Sequence, residues 1–280
     1  QDTRLTETSP SYAMDFLSTQ GNNADVHIST FQIFMPDDRR TAYSISIRGA
    51  DGIYFNNGHH QGGVIVQPTG VHGQDTLASV FWSQVYFDKA IAENIIFTGS
   101  STNYRNFEFD GCNLVSAVHG MVFNTTSLID DVRVTGGRTA FHAKNGIECR
   151  NANSRGIKVT GHSFASNAGD NTLGDSDFIV RGNGHMIDGV TLTGGNANGR
   201  GINLTADANN CVLGSADVTN STMGITVVRS SATSKLGTIT GYTAKNKGTA
   251  VIPSGASSIV VNHGMSVAPS NDEIQVTPRT

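Results

Sequence analysis

Short segments of alternating apolar and polar residues recur along this chain, and most of them end at a turn residue. The first family comprises FEFDG (Phe107 to Gly111), VRVTG (Val132 to Gly136), IKVTG (Ile157 to Gly161), VTLTG (Val190 to Gly194), ADVTN (Ala216 to Asn220) and TITG (Thr238 to Gly241). Alternation with period two predicts strands, and recurrence at intervals of roughly 20 to 35 residues without amphipathic helices predicts a solenoid. The pattern therefore predicts an all-β protein, a right-handed parallel β-helix.

A second family of alternating segments falls between the members of the first. It comprises MVFN (Met121 to Asn124), IECR (Ile147 to Arg150), FIVR (Phe178 to Arg181), INLT (Ile202 to Thr205) and ITVV (Ile225 to Val228). Side chains two apart on a strand share a face, so each segment of the two families should contribute apolar side chains to one narrow core. The inward pairs expected are Phe107/Phe109, Val132/Val134, Ile157/Val159, Val190/Leu192 and Ala216/Val218, with Met121/Phe123, Ile147/Cys149, Phe178/Val180, Ile202/Leu204 and Ile225/Val227 opposite them.

The spacing of the two families divides the chain into three parts. Residues 1 to 25 are a polar lead-in with at most a short helical turn near Tyr12 to Leu17. Residues 26 to 247 are predicted to form the β-helix, with irregular coils to about residue 100 and regular coils over 105 to 247. Residues 248 to 280 suggest the start of a small C-terminal β-domain, which must be completed by more chain or by other subunits. The longest interval, from Thr160 to Thr193, predicts an insertion within Gly161 to Asp177.

Composition narrows the functional classes. Charged residues make up only 15%, Gly is abundant at 32 residues, and the net charge is −4, which gives no electrostatic case for binding nucleic acid. No apolar run reaches the roughly 18 residues that a membrane span needs. Three cysteines without a C-x-x-C pair predict neither a disulfide framework nor a zinc site, and no cofactor or metal is expected.

The C-terminal stretch resembles the opening of a small β-domain found at the ends of many bacteriophage and prophage tail proteins. The matching residues are Gly248, Thr249, Ile252, Ser254, Gly255, Ser258, Val261, His263, Gly264, Met265, Pro269, Ile274, Val276, Thr277 and Pro278. The body before it is similar to the pectate-lyase-like β-helix of phage tail spikes. The resemblance implies a homotrimeric, extracellular tail spike or fibre of the virion that adjoins other tail proteins and binds a bacterial surface polysaccharide.

The resemblance does not carry over a catalytic site, because tail-spike active sites are diverse. Whether the protein cleaves its polysaccharide, as a depolymerase, therefore stays open. The alternative is a secreted, monomeric polysaccharide lyase or glycoside hydrolase with the same fold. A spike should run as a trimer that resists SDS until heated, whereas a lyase should not.

Outward positions of successive coils form columns about 4.8 Å apart in a parallel solenoid. The first family places Glu108, Arg133, Lys158, Thr191, Asp217 and Thr238 in one column. Arg133 and Lys158 are candidates for glycan binding. Equally, this column could be a solvated face in which Glu108 and Arg133 form an ion pair of little energetic value.

The second family predicts Arg150 directly over Arg181, with Glu148 one strand position away. Two stacked guanidinium groups suit an anionic sugar between them, with His185 and Asn203 as further contacts. The alternative is that nearby acids already neutralise the two arginines. Those acids are Glu148 and the carboxyls of the predicted insertion, Asp170, Asp175 and Asp177.

The same residues supply candidates for catalysis. Glycoside hydrolysis needs two carboxyl groups, which Glu148 and an aspartate of the insertion could provide. Elimination from a uronate would need a base, for which His162 or His185 is a candidate, and a cation such as Arg150 or Arg181.

Overall fold

The computed structural model describes residues 14–17, 26–34, 43–49, 51–67, 76–99, 103–125 and 128–241. These residues form an all-β, parallel β-solenoid of about seven turns without helices in the described ranges, which confirms the predicted fold class. The first strands are β1 (Met14–Leu17), β2 (Val26–Ile33), β3 (Tyr43–Gly49), β4 (Asp51–Gln61), β5 (Gly63–Val66), β6 (Thr76–Asp88), β7 (Glu93–Gly99), β8 (Asn103–Asp110), β9 (Asn113–Val115), β10 (His119–Thr125) and β11 (Ile129–Thr135). The remaining strands are β12 (Arg138–Ala140), β13 (Ile147–Cys149), β14 (Lys158–Thr160), β15 (Ser163–Ala165), β16 (Ser176–Asn183), β17 (Met186–Asp188), β18 (Val190–Gly194), β19 (Arg200–Asn209), β20 (Val212–Ser221), β21 (Ile225–Arg229) and β22 (Lys235–Thr240).

The strands form two sheets that give each coil three faces. The 13-stranded sheet supplies face 1, which includes β8, β11, β14 and β17, and face 2, which includes β9, β12, β15 and β18. The long strands β2, β4, β6 and β20 run across both faces. Face 3 is the nine-stranded sheet, in the order β1-β3-β5-β7-β10-β13-β16-β19-β21. Among the described residues no helix is long and apolar enough to cross a membrane.

A residue with left-handed backbone conformation lies between face 1 and face 2 in successive coils. These corner residues are Thr30, Asn57, Gln84, Gly111, Gly136, Gly161 and Gly189. Left-handed conformation reverses the chain locally and favours glycine or asparagine. It also resets the alternation, because Phe109 and Cys112 on either side of Gly111 are both buried.

The predicted core is present. Every residue of the first nine predicted inward pairs is at most 4% exposed, from Phe107 on β8 to Leu204 on β19. The one tryptophan, Trp82, is stacked on Phe55 at 3.7 Å between ring centroids. In the tenth pair, Val227 is buried but Ile225 is 50% exposed, so the prediction for Ile225 is wrong. Its strand is displaced by two residues, which pairs Ile202 with Val227 and places Ile225 beside Arg200.

The first predicted family combines strands of two different faces. Lys158 on β14 pairs with Met186 on β17, whereas Thr191 on β18 pairs with Ser163 on β15. The predicted column Glu108–Arg133–Lys158–Thr191 is therefore wrong beyond Lys158. Alternation looks the same on both faces, so it could not separate β17 from β18.

Three further predictions changed or lie outside the described residues. The insertion is shorter than predicted, because Ser163–Ala165 is strand β15 and the extra chain is Ser166 to Asp175. Met14–Leu17 forms a strand paired with β3 where a helical turn was expected. Residues 248 to 280 lie outside the described residues.

Two glycines allow a direct stability test: the corner residue Gly161, and Gly137, which follows the corner residue Gly136 and is also left-handed. Gly137 has a φ of +69°, and an added Cβ would overlap the carbonyl oxygen of Cys112, whereas Gly161 has a φ of +60° and no atom within 4 Å of that position. We expect Gly161→Ala to lower the free energy of unfolding by about 1 kcal/mol through backbone strain alone. Gly137→Ala should lower it by about 3 kcal/mol, because overpacking adds to the strain.

Urea unfolding followed by Trp82 fluorescence measures both free energies. Gly161→Ala is the matched control, since it introduces the same strain without the overlap. Equal effects of the two substitutions would contradict the close packing of neighbouring coils at Gly137.

Candidate functional site

Polar residues at the first position of the face 3 strands, or two residues before it in the case of β13, form a column that the sequence analysis missed. Its members are Glu93, His119, Asn145, Ser176 and Arg200. Each precedes by two residues the first inward apolar side chain of its coil, as in ENIIF, HGMVF and NGIEC. This repeated position, two residues before the first inward apolar residue, is the sequence signal from which the column could have been predicted. Because parallel strands are about 4.8 Å apart, neighbours in this column are close enough to share a ligand.

Glu148 on β13 points outward beside this column and is bound by several donors. Arg150 donates from Nε to Oε1 at 2.9 Å and from a terminal nitrogen to Oε2 at 3.0 Å. Asn145 donates its side-chain N–H to Oε2 at 3.1 Å. Burial alone would raise the pKa of Glu148, but the hydrogen bonds and charge of Arg150 outweigh it and hold the pKa below its ordinary value. Glu148 is therefore an ionised carboxylate in a half-enclosed position.

His119 lies between Glu93 and Glu148. Its Nδ1 is 3.4 Å from Oε2 of Glu148, and its Nε2 is 3.4 Å from a terminal nitrogen of Arg150. Burial lowers the pKa of His119, so the ring is neutral near pH 7. Glu93, which pairs with His119 across the two strands, accepts a hydrogen bond of 2.7 Å from the hydroxyl of Tyr43.

The connection from Ser166 to Asp175 brings two more carboxyl groups to this part of face 3. Backbone hydrogen bonds attach it to the preceding coil, from Ala168 N–H to Lys144 C=O at 2.7 Å and from Asp170 N–H to Ala143 C=O at 2.8 Å. At its end, the N–H of Ser176 donates to Asn145 Oδ1 at 2.7 Å. Because Asn145 also binds Glu148, this contact ties the end of the connection to the Glu148 carboxylate.

Asp175 differs from Glu148 in its ionisation. Burial, together with the hydrogen bond and negative charge of Asp170, raises the pKa of Asp175 to about 6. The charge of Glu148 acts in the same direction, whereas the ammonium group of Lys144 opposes it. The Glu148 cluster, defined here as Glu93, His119, Asn145, Glu148, Arg150 and Asp175, thus contains two carboxyl groups whose pKa values are shifted in opposite directions.

Four predicted site residues lie inside the wall of the solenoid. These are His162, Asp177, His185 and Asn203, none more than 7% exposed. His162 and His185 follow the left-handed Gly161 and Gly184, and each occupies an inward position. Their ring nitrogens bond to backbone groups or to Thr139, and burial lowers both pKa values to about 4. Asp177 accepts a hydrogen bond from Asn167 at 2.7 Å, and burial raises its pKa to about 7.

The remaining predicted residues are on the surface but apart from the Glu148 cluster. Arg133 and Lys158 pair across face 1, where both are near Asp131, at 2.9 and 3.7 Å. Arg133 thus forms its ion pair with Asp131, where the sequence suggested Glu108. Arg181 is exposed. The paired residues of β13 and β16 end with Glu148 opposite Ile179, and Arg150 follows the end of β13, so the ladder does not extend to the predicted pair Arg150 and Arg181.

Within the described ranges, no group of three or more His, Cys, Asp or Glu side chains could hold a metal ion. No protein-family model matches the chain, and neither a curated protein nor a solved structure matches it. The fold defines the class as a parallel β-solenoid, compatible with a pectate-lyase-like β-helix.

Proposed function

We propose that this chain is the receptor-binding tail spike or fibre protein of a bacteriophage, and that the Glu148 cluster cleaves the bacterial surface polysaccharide to which it binds. The observation that carries the proposed cleavage is the pair Glu148 and Asp175, two partly exposed carboxyl groups with oppositely shifted pKa values. Such a pair divides the acid and base roles of glycoside hydrolysis. The assignment to a phage tail is supported by the resemblance of residues 248 to 280.

The two carboxyl groups take different roles. Asp175, protonated at pH values up to about 6, donates its proton to the oxygen of the departing sugar. Glu148 remains ionised because of Arg150 and stabilises the positive charge that develops at the sugar ring, or attacks the anomeric carbon to form a glycosyl-enzyme bond. Water then adds to the anomeric carbon and gives up a proton to a carboxylate of the pair, which completes the hydrolysis and frees Glu148. Asn145 and Arg150 keep the Glu148 carboxylate in place.

Hydrolysis fits this arrangement better than elimination. Elimination from a uronate requires a cation to bind the sugar carboxylate, and the guanidinium of Arg150 is already engaged with both oxygens of Glu148. The candidate bases His162 and His185 are buried, each only 1% exposed.

The test is to incubate the purified protein with capsule or lipopolysaccharide from candidate hosts. We expect new reducing ends without absorbance in the unsaturated-uronate band. Unsaturated products would replace the hydrolase assignment with a lyase. Binding without any cleavage would leave a receptor-binding spike, and neither binding nor cleavage on any host glycan would overturn the proposal.

The subunit arrangement is a separate prediction. A tail spike should behave as a homotrimer in light scattering and migrate as a trimer in SDS until heated. A monomer under both conditions would favour a secreted glycoside hydrolase of the same fold.

The pH dependence of cleavage should report Asp175. Because the general acid must be protonated, we expect kcat/KM to fall about tenfold per pH unit above about pH 6. Asp170→Asn removes a negative charge and weakens the hydrogen bond that raises the pKa of Asp175, so the alkaline limb should shift to lower pH. Lys144→Met should shift it to higher pH, because Lys144 opposes the rise. If the alkaline limb of the pH profile of kcat/KM stays at the same pH in both variants, Asp175 is excluded as the general acid.

A further inference from the structure

His119 carries a hydrogen-bond donor that has no acceptor. An arginine nitrogen can only donate, so the contact from Arg150 makes Nε2 of His119 the acceptor. In the neutral ring the hydrogen is then on Nδ1. Nδ1 is buried, and His119 as a whole is only 7% exposed. Nδ1 has no hydrogen-bond partner, because its 3.4 Å contact with Oε2 of Glu148 does not have hydrogen-bond geometry.

The neighbouring carboxylate, Glu93, has the opposite requirement. It accepts from the hydroxyl of Tyr43, and carboxylate oxygens have room for more than one donor. No lysine or arginine within the described part of the chain forms an ion pair with Glu93. Glu93 and His119 are direct partners on adjacent strands, so an unpartnered donor and a carboxylate without an ion-pair partner in the described part of the chain belong to neighbouring residues. The charge of Arg150 also acts on Glu93, but it is shared with Glu148, so the three groups together keep a net negative charge.

A hydroxyl group matches this pair because it accepts one hydrogen bond and donates another. A sugar carboxylate could accept from His119 but would be repelled by Glu93. An ammonium group could donate to Glu93 but offers His119 nothing to bind. Leaving a buried donor unpaired costs free energy. Glu93 and His119 should therefore bind a hydroxyl group in preference to a carboxylate or an ammonium group.

Resting on the proposed function, we propose that Glu93 and His119 form a hydroxyl-binding subsite beside Glu148, and that the sugar bound there is uncharged and carries a free hydroxyl. The protein then selects neutral polysaccharides, not uronate-bearing ones. This replaces the expectation of an anionic sugar held by Arg150 and Arg181.

The experiment measures binding to immobilised bacterial polysaccharides of defined composition in three groups: neutral, uronate-bearing and bearing free amines. The full chain with Asp175→Asn is used so that cleavage does not remove the probe, while Glu148 stays in place to bind the guanidinium of Arg150. We expect binding within the neutral group, and loss of that binding after O-methylation of the polysaccharide. Glu93→Gln should weaken binding about tenfold or more, because it replaces an ionised acceptor with a neutral amide oxygen, which accepts weaker hydrogen bonds.

Glu108→Gln is the matched control, since it makes the same change on face 1 and should leave binding unaltered. Glu93→Lys should abolish neutral binding and admit uronate-bearing polysaccharides. The test uses variants of Glu93, which is partly exposed, because His119 is buried and replacing it would also disturb packing. Preferential binding of uronate-bearing polymers, or unchanged binding by Glu93→Gln, would overturn the subsite while the proposed function stands. Absence of binding to any polysaccharide would overturn both.

Discussion

Replacing Glu148 with glutamine is expected to lower kcat/KM for polysaccharide cleavage about a thousandfold, because the charge that stabilises the sugar cation is lost while the shape is kept. Asp175→Asn should have an effect of similar size, since asparagine cannot donate the proton that the departing sugar requires. Reducing-end release from a host polysaccharide measures both. Binding of the same polysaccharide should persist in both variants.

Two controls separate chemistry from folding. Asp207→Asn removes an exposed carboxyl group on β19 away from the cluster and should leave cleavage unchanged. Glu148→Gln also leaves the guanidinium of Arg150 without its carboxylate, so thermal unfolding must be compared with that of Glu148→Asp, which keeps the charge. Full activity in a folded Glu148→Gln protein would remove Glu148 from the mechanism.

Acidification is expected to destabilise the solenoid steeply between pH 6.5 and pH 4. His60, His142, His162 and His185 are buried and neutral, with pKa values lowered by burial to about 3 for His60 and about 4 for the others. The unfolded chain binds these protons near pH 6.5 and the folded chain does not, so stability falls as pH falls through this window. The raised pKa values of Asp175, about 6, and Asp177, about 7, oppose this by about two protons near pH 5.

The net uptake of about two protons on unfolding corresponds to roughly 3 kcal/mol per pH unit near pH 5. Urea unfolding followed by Trp82 fluorescence at several pH values measures this slope. In His142, Nδ1 accepts from the N–H of Ala117 and Nε2 donates to the C=O of Leu114, so glutamine could replace both bonds without titrating. His142→Gln should reduce the slope by about one proton, whereas His27→Gln, at an exposed position, should not. Stability independent of pH from 7 to 4 would contradict the assignment.

Part of the site was accessible from the sequence. Glu148, Arg150, Asp170 and Asp175 were predicted to lie near one another, because the coil repeat places the insertion beside the second strand family. The neutralisation of Arg150 by Glu148 was one of two alternatives, and the structure shows that contact. His119 and Glu93 were missed because each stands at the start of a strand, before the alternation begins.

The sequence alone determined the coil. Alternation along each strand selects the side chains that point inward, and the repeat spacing brings equivalent strands of successive coils together. Both features depend only on neighbouring residues or neighbouring coils, so they are visible in the sequence. The tertiary structure decided what happens at the corners. A left-handed residue there resets which side chains point inward, so His162 and His185 enter the wall while Glu148 stays outside. Contacts between coils decide which cations and carboxylates form ion pairs, and hence which charges remain for a ligand. The repeat period of the sequence does not predict those contacts.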